Sequence, residues 1–219
     1  SVRFVDISRR PPRTPRLPSP LLCRAVTSGV QVDGPGNSGD AGDGGNVLVQ
    51  TGDDNVCGGN DIDWDGDVNT DGGSVIGPGA SGDGGDAGSI QMIATQEVDP
   101  GFGHLLSAQG GGAFFFFNGQ TGDAGDGGPV TVRSLANNVE MQDGVINASG
   151  GSSDLGNAGD GGDISLLADS GAIFSLDDGG LGVNPTSLIS DGGQVNGDGA
   201  TGNGGDGGDV LAQAQGNIR

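Results

Sequence analysis

The chain has 219 residues, among them 50 Gly, 7 Phe, one Trp and no Tyr, and 32% of its residues are hydrophobic, well below the roughly 45–50% of an ordinary globular domain. A compact globular core is therefore not expected, whereas a solenoid needs only a thin apolar stripe in each repeat. Residues 30–219 hold 28 of the 29 acids and two of the eight Arg, which excludes nucleic acid and anionic membrane as partners, because phosphate binding needs clustered Lys and Arg.

Residues 1–30 differ from the rest of the chain. They are rich in Arg and Pro and show no periodicity, and their apolar piece is too short for a signal peptide. We expect a disordered leader or a segment outside the native coding sequence; a basic arm for a polyanion is the alternative. We interpret residues 31–219 as one repeat domain, truncated at both ends. No apolar run in the chain approaches the roughly 18 residues of a membrane span.

A glycine- and aspartate-rich run of nine residues occurs five times after the leader. Each copy has Gly at its first, fourth and seventh positions, Asp or Asn at the second, Asp at the fifth, and Val or Ile at the ninth. The copies are residues 39–47, 82–90, 122–130, 156–164 and 202–210. Their starts are 43, 40, 34 and 46 residues apart, and a persistent period of this size indicates a solenoid.

Short strand-like segments follow each run. The first segments are residues 47–50, 90–94, 130–135, 164–168 and 210–214, and several of them alternate apolar and polar residues as a half-buried strand does. In the shortest repeat two more segments follow, at 139–141 and 145–148, separated by polar turns. The sequence therefore predicts an all-β parallel β-helix, with four to five rungs of 34–46 residues, three short strands per rung and a Gly-rich loop that stacks at one corner.

The three-residue register of the glycines carries its own prediction. Gly at every third position is typical of a polyproline-II-like extended chain, which admits only Gly where neighbouring chains crowd. A flexible loop needs Gly but no register. The register favours an ordered stack, although ordering each Gly costs roughly 0.5–1 kcal/mol more than ordering Ala, and a flexible loop is the alternative.

Two columns of acidic residues accompany the glycines. If the rungs stack in register, like charges about 5 Å apart repel by roughly 0.8 kcal/mol per pair even in water. Ca²⁺, which takes carboxylate and backbone oxygens, is one candidate to offset this; the alternative is that each Asp accepts hydrogen bonds from the backbone of its own loop. The second-position column is Asp40, Asp83, Asp123, Asn157 and Asn203, and the fifth-position column is Asp43, Asp86, Asp126, Asp160 and Asp206.

A denser acidic segment at residues 60–73 is a second candidate for calcium. Asp61, Asp63 and Asp65 fit the opening of an EF-hand-type loop, and Asp67 and Asp71 belong to a second register that resembles the calcium loop of dockerin modules. Both registers lack an acidic twelfth ligand, so a solvated turn is the alternative. Residues 204–211 also match the start of the calcium-binding nonapeptide pattern, but such nonapeptides run in tandem and these runs do not.

Catalytic residues are scarce. A polysaccharide lyase needs a basic group, and Arg133 is the only internal Arg; a hydrolase needs two carboxylates at a defined separation, which an Asp-rich surface offers by chance. His104 has no partner identifiable from spacing.

Four consecutive aromatic residues, Phe114, Phe115, Phe116 and Phe117, either fold back over the solenoid or mediate lateral self-association or contact with another partner.

The repeat style resembles that of a known class of proteins. The units GDGGDISLLA (159–168) and GNGGDGGDVLA (202–212) and the phrase VINASGG (145–151) resemble the glycine-rich repeats of filamentous-haemagglutinin-like adhesins and related secreted bacterial β-helix proteins. The resemblance covers residues 31–219. It implies a right-handed β-helix, export to the cell surface, a structural or adhesive role, and a host or matrix glycan or protein as partner; it supplies no catalytic residues. We expect an acidic, calcium-stabilised adhesive segment and no enzyme, with a carbohydrate-active β-helix enzyme as the alternative.

Overall fold

The computed structural model of the protein describes residues 24–51, 61–64, 66–99, 103–114, 122–141, 144–175 and 186–219. These residues contain no helix and form short strands. The strands are β1 Arg24–Val26, β2 Val32–Asp33, β3 Val47–Gln50, β4 Ile62–Asp63, β5 Asp67–Asn69, β6 Val75–Ile76, β7 Ile90–Ala94, β8 Val98–Asp99, β9 Leu105–Ser107, β10 Ala113–Phe114, β11 Val130–Ser134, β12 Val139–Met141, β13 Val145–Asn147, β14 Ile164–Ala168, β15 Ile173–Ser175, β16 Ser187–Ile189 and β17 Val210–Ala214.

The strands lie in four parallel sheets, each built from equivalent strands of successive repeats. Sheet 1 has the order β3-β7-β11-β14-β17, sheet 2 β4-β8-β12-β15, sheet 3 β1-β5-β9-β13-β16, and sheet 4 β2-β6-β10. The chain passes sheets 3, 4, 1 and 2 in the same order in five repeats, which we number 1 (24–64), 2 (66–99), 3 (103–141), 4 (144–175) and 5 (186–219). In repeats 4 and 5, isolated bridges at Ser153, Val195 and Ile218 take the place of strands in sheets 4 and 2. This stacked, parallel arrangement is consistent with the predicted β-helix.

The repeats pair in register. In sheet 1, Val130 of β11 lies between Ile90 of β7 and Ile164 of β14, and the pairing continues residue by residue along the strands. A one-residue slip would turn every apolar side chain of a strand to the opposite face, so the apolar alternation fixes this register. The strand bounds predicted at 47–50, 90–94, 164–168 and 210–214 are confirmed.

The apolar core runs along the inside of sheets 1, 2 and 3. Ile90, Val130 and Ile164 are fully buried in one row, and Met92 and Val132 are fully buried in the next row of the same sheet. Their neighbours come from sheets 2 and 3, and together they form one cluster that spans the repeats. Burial of each such side chain contributes about 1.5–3 kcal/mol, so a narrow stripe of branched residues suffices to hold sheets that carry few aromatic side chains.

Two findings differ from the sequence prediction. Each of the first three repeats has a fourth strand, in sheet 4, in place of the predicted three, and the same row continues as parallel bridges at Ser153 and Val195. These strands are two residues long, too short for any alternation to reveal. The first strand, β1, lies inside the segment 1–30 that was assigned to the leader, so repeat 1 begins before residue 31. Residues 1–23 lie outside the described residues.

Candidate functional site

The glycine runs form the most regular feature of the molecule, a pair of backbone columns that extend through all five repeats. The run column consists of the five Gly runs, and the return column consists of the segments that follow sheet 3, centred on Val30, Gly73, Gly111, Gly151 and Gly193. Backbone N–H groups donate alternately from one column to the other. The bonds join Gly42 to Val30, Gly73 to Gly42, Gly85 to Gly73, Gly111 to Gly85, Gly125 to Gly111, Gly151 to Gly125, Gly159 to Gly151, Gly193 to Gly159 and Gly205 to Gly193, with N···O distances of 2.8–3.1 Å.

Close approach of successive repeats within each column explains why glycine is required. A Cβ placed on Gly125 would lie 2.0 Å from the carbonyl oxygen of Gly85, and one on Gly111 would lie 1.8 Å from that of Gly73. No side chain fits such gaps, because the atom it would meet is backbone and cannot swing away. The ordered stack is therefore the arrangement that the structure has, rather than the flexible loop.

The backbone N–H groups of each run have three kinds of acceptor, which recur every three residues. The fourth-position Gly donates across to the return column, as described above. The third and sixth positions donate to the next repeat: Ala41 N–H to the carbonyl of Asp83 at 2.9 Å, and Gly44 N–H to the carbonyl of Asp86 at 2.8 Å. The second and fifth positions donate to side chains. A buried backbone needs such complete pairing, and here it is met without a conventional strand.

The acidic columns form ladders of hydrogen bonds along the repeats. The Oδ1 atom of Asp43 accepts the backbone N–H of Asp86 at 3.0 Å, and the same bond repeats from Asp86 to Asp126, Asp126 to Asp160, and Asp160 to Asp206 at 2.8–2.9 Å. The second-position column makes the equivalent bonds, from Asp40 to Asp83, Asp83 to Asp123, Asp123 to Asn157, and Asn157 to Asn203, at 2.7–3.1 Å. In repeats 1 to 4 these side chains therefore accept from the backbone of the next repeat. The alternative stated above, in which each accepts from the backbone of its own loop, is not the arrangement found.

The ladders set the electrostatics of this corner. All of their side chains are exposed to solvent, so water and salt screen the repulsion between neighbouring carboxylates. Hydrogen bonds from N–H groups to ionised oxygens are stronger than neutral ones and offset part of the remaining repulsion. One oxygen of each carboxylate is occupied in this way, which leaves calcium fewer ligands than the six to eight oxygens it takes.

The acidic segment at 60–73 is divided between two sheets. Asp61 and Asp63 belong to the neighbourhood of β4 in sheet 2, whereas Asp67 and Asp71 lie at β5 in sheet 3; Asp65 is outside the described residues. Three of these side chains accept a hydrogen bond from the next repeat. The carboxylate of Asp61 accepts Glu97 N–H at 3.2 Å, that of Asp67 accepts Leu105 N–H at 3.0 Å, and that of Asp71 accepts Gln109 N–H at 2.8 Å.

Calcium stays a prediction for both sets of acids. Among the residues that the structure describes, no group of three or more His, Cys, Asp or Glu side chains is arranged to hold a metal ion. The columns place their acids one per repeat rather than around a common centre. A cation would therefore bind between repeats, bridging carboxylates that the ladder already aligns.

A cluster of acids on sheet 2 was missed by the sequence reasoning. Burial raises the pKa of Glu97, and the neighbouring carboxylates of Glu140, Asp61 and Asp99 raise it further. Glu97 and Glu140 share a side-chain hydrogen bond across adjacent repeats. The signal that could have found the cluster is the parallel stacking itself, which brings together acids one repeat apart.

Arg133 and His104 lie beside acidic side chains, and Phe114 packs against a nearby glycine. Arg133 forms a two-pronged ion pair with Asp169 of the next repeat, with Nη2 2.6 Å from Oδ2. His104 lies 3.8 Å from Asp67. The half-buried ring of Phe114 lies against Gly112, where it lines a shallow depression of about 200 Å³ together with Gln109 and other polar groups. Phe115, Phe116 and Phe117 lie outside the described residues.

Comparison of the chain with protein-family models, with curated proteins and with solved structures finds no match. The fold and the columns therefore stand on the geometry alone. Within the described part of the chain, no helix is long and apolar enough to cross a membrane.

Proposed function

We propose that this chain is an acidic, extracellular segment of a large bacterial surface protein, with a structural and adhesive role, built as a right-handed parallel β-helix. The observation that carries the proposal is the uninterrupted chain of hydrogen bonds between Val30 and Gly205, which ties every repeat to the next through backbone atoms. A continuous series of hydrogen bonds of this kind suits a rigid segment of fixed length and direction. A spacer that only separates two domains needs no ordered glycine.

Right-handedness follows from a general rule of parallel sheets. Connections between parallel strands of one sheet are right-handed in about 98% of cases. Each strand of sheet 1 connects to its parallel neighbour by a full circuit through sheets 2, 3 and 4. Four such circuits of the same hand produce a solenoid that advances by about 4.8 Å per repeat.

Stiffness is the property that the glycine columns provide. Ordering glycine costs roughly 0.5–1 kcal/mol per residue relative to alanine, and the chain contains 50 Gly. Because glycine has no side chain, the two extended backbones approach closely enough to form hydrogen bonds, and these offset that cost. The columns lie along the direction in which repeats stack, so tension on the segment is shared by bonds at every repeat.

An exposed, strongly acidic surface supports an extracellular location and a neutral or cationic partner. The formal net charge is −21, which favours solubility and repels anionic surfaces. A host or matrix glycan or protein is the partner that this proposal implies. The depression lined by Phe114 and Gln109 would offer a sugar ring both an aromatic side chain and an amide.

The geometry gives the carbohydrate-active enzyme less support. A hydrolase needs two carboxyl groups roughly 5–9.5 Å apart on either side of its substrate, whereas the carboxylates of the ladders are all exposed to solvent. A lyase needs a basic group for its substrate, and Arg133 is engaged by Asp169.

Display of the chain on a non-adherent bacterium tests the proposal. We expect cells that present the chain to attach to immobilised glycans or matrix proteins, and cells that present Gly125→Val at the same surface density to attach less, because the substitution separates the runs of repeats 2 and 3. Equal attachment by both would contradict an adhesive role. Release of reducing ends or unsaturated uronates from polysaccharides by the purified chain would favour the enzyme instead.

A further inference from the structure

We propose that the depression beside Phe114 binds one neutral pyranose ring of a glycan, with hydroxyl groups on Asp71 and Gln109 and the apolar side of the sugar on the aromatic ring. This rests on the proposed adhesive role and names the class of ligand for that site. The depression lies at the corner between sheets 3 and 4, where repeats 2, 3 and 4 all contribute to its lining.

The ring of Phe114 lies over Gly112, where no side chain stands in its way. Gly112 precedes Ala113, which pairs with Val75 and Ser153, so the equivalent residues of repeats 2 and 4 are Ser74 and Ser152. A Cβ on Gly112 would lie 2.2 Å from a carbon of the ring. The ring is half-buried in this position and forms an apolar wall of the depression, as aromatic side chains do in ligand sites.

The carboxylate of Asp71 is held in place and keeps capacity for one more donor. It accepts hydrogen bonds from Ser107 Oγ, from the backbone N–H of Gln109 and from Asn69 Nδ2, at 2.6–2.8 Å. An ionised carboxylate has about four acceptor positions. Asp71 therefore offers an oriented acceptor to a ligand, and its orientation requires no reorganisation on binding.

The other polar side chains of the depression supply donors. The Oγ atoms of Ser74 and Ser152 accept the N–H groups of Gly112 and Gln194 at 3.0 and 3.1 Å. A hydroxyl that accepts in this way keeps its own hydrogen to donate. Gln109 is exposed and adds an amide with two N–H groups. The lining thus combines one strong acceptor with several donors around an aromatic ring.

This combination matches a sugar better than a ligand of simpler chemistry. A sugar hydroxyl both donates and accepts, whereas an ammonium group only donates and a phosphate mainly accepts. The C–H groups on one side of a pyranose pack on an aromatic ring, whose face is electron-rich. The volume of about 200 Å³ lies below the roughly 300–1,000 Å³ of sites for drug-sized ligands, so it holds a single ring.

Charge restricts the sugar to a neutral one. Among the residues that the structure describes, the ion pairs are those of Arg133 with Asp169 and His104 with Asp67, and Asp71 belongs to neither. The formal net charge of the chain is −21. A uronate or another acidic sugar would bring its carboxylate towards an uncompensated one and would be repelled.

Titration of the whole chain with methyl pyranosides, followed by the amide signals in ¹H–¹⁵N NMR spectra, tests the site. The probes are methyl glucoside, galactoside, mannoside and N-acetylglucosaminide, with methyl glucuronide as the acidic match of the glucoside. We expect at least one neutral probe to bind with an affinity near 1 mM, shifting signals of residues 71–74, 109–114 and 151–152. The glucuronide should bind at least about tenfold more weakly at low salt, and less so in about 0.5 M NaCl, which screens the repulsion.

Two variants locate the binding. Gly112→Ser gives repeat 3 the side chain that repeats 2 and 4 have at this place and displaces the ring, and Gln109→Ala removes the amide. Each should weaken binding by about tenfold. The matched control Gln91→Ala removes an equally exposed amide from sheet 1 and should bind like the wild type. Thermal melting of all four proteins checks that the fold is kept.

The outcomes separate this inference from the proposed function. Signals that shift elsewhere, a glucuronide that binds as tightly as the glucoside, or n-butylammonium that binds more tightly than every sugar would each overturn the inference. If no pyranoside binds while cells that display the chain still attach to matrix proteins, the inference is wrong and the adhesive role stands. If neither binding nor attachment occurs, both are wrong.

Discussion

The side chain of aspartate at the second and fifth positions of the runs accepts a backbone hydrogen bond, as a backbone carbonyl does in a strand. Its Oδ1 atom accepts an N–H group that points towards the preceding repeat, as between Asp126 and Asp160 at 2.8 Å. Asparagine offers the same oxygen without the charge, and the second-position column contains it at Asn157 and Asn203, where the bond is 3.0 Å long. The shape of the acceptor therefore matters more to the ladder than its charge does.

Substitution of Asp126 separates these two contributions. We expect Asp126→Asn to keep the free energy of unfolding within about 0.5 kcal/mol of the wild type at moderate salt, because the acceptor remains. Asp126→Ala leaves the N–H of Asp160 without its partner and should cost about 1 kcal/mol. Urea denaturation of the three proteins measures both values. Equal destabilisation by Asn and Ala would show that charge, not the acceptor, holds the ladder.

We expect Glu97 to make the free energy of unfolding depend on pH. Its pKa is raised in the folded chain, first by burial and then by Glu140 and the neighbouring aspartates. A raised carboxyl pKa means that the folded state holds its proton more tightly than the unfolded state does. The resulting stability is fully present below the unfolded pKa of about 4.5 and is lost as the pH rises through the folded pKa.

Glu97→Gln should therefore raise the free energy of unfolding at pH 7, where the wild type holds an unfavourable ionised carboxylate. Near pH 4 the two proteins should be equally stable, because Glu97 is then protonated in both states. Thermal melts over that range measure the difference. A constant difference at all pH values would point to altered packing in place of titration.

The glycine columns are the element that distinguishes this fold from a solenoid made of strands alone. Their third-position residues are Ala in three runs and Gly in two, whereas the fourth position is always Gly. A Cβ at the fourth position has no room, because it would meet the run of the preceding repeat, as one on Gly125 would meet the carbonyl oxygen of Gly85 at 2.0 Å. The third position of repeat 5 has space, since a Cβ on Gly204 would meet only the oxygen of Gly193 at 3.7 Å.

Alanine at these two positions should have opposite effects. Gly125→Ala forces the run of repeat 3 away from the carbonyl of Gly85 in the run of repeat 2 and should destabilise the chain by about 3 kcal/mol, as overpacking does. Gly204→Ala should be neutral or stabilising by about 0.5 kcal/mol, because it restricts the unfolded chain without a clash. Denaturant unfolding compares the pair. Similar losses at both positions would mean that the columns are not closely packed.

The sequence predicted these elements unequally. Strands of four or five residues, such as β7 and β14, show alternation that the sequence alone reveals, and the three-residue glycine register predicted an ordered stack. The two-residue strands of sheet 4 were missed because no period can be read from two residues. The return column and the contact of Glu97 with Glu140 were missed because both depend on which segments become neighbours, a property of the whole circuit.

At the scale of the whole molecule, the chain is a stack in which each repeat depends on its neighbours. Core rows, glycine columns and acidic ladders all connect equivalent residues of successive repeats. Stability of such arrays is a sum of contributions from repeats and from the contacts between them. The acidic columns also concentrate negative charge along one corner, so the ionic composition of the solvent acts on all repeats at once.

Calcium should therefore stabilise the whole stack by more than its ionic strength explains. Screening by any salt weakens repulsion along the columns, whereas a cation that bridges Asp43, Asp86 and their equivalents adds binding energy. With an affinity near 1 mM, as in weak extracellular sites, about 10 mM Ca²⁺ would contribute roughly 1.4 kcal/mol per bound ion. Thermal melting in Ca²⁺, in NaCl of matched ionic strength, and in EDTA measures the excess.

Asp126→Asn should reduce this excess while leaving the response to NaCl nearly intact, because it removes one charge from the fifth-position column and keeps the ladder. A midpoint that is the same in Ca²⁺ and in matched NaCl would leave screening as the only effect of the ion.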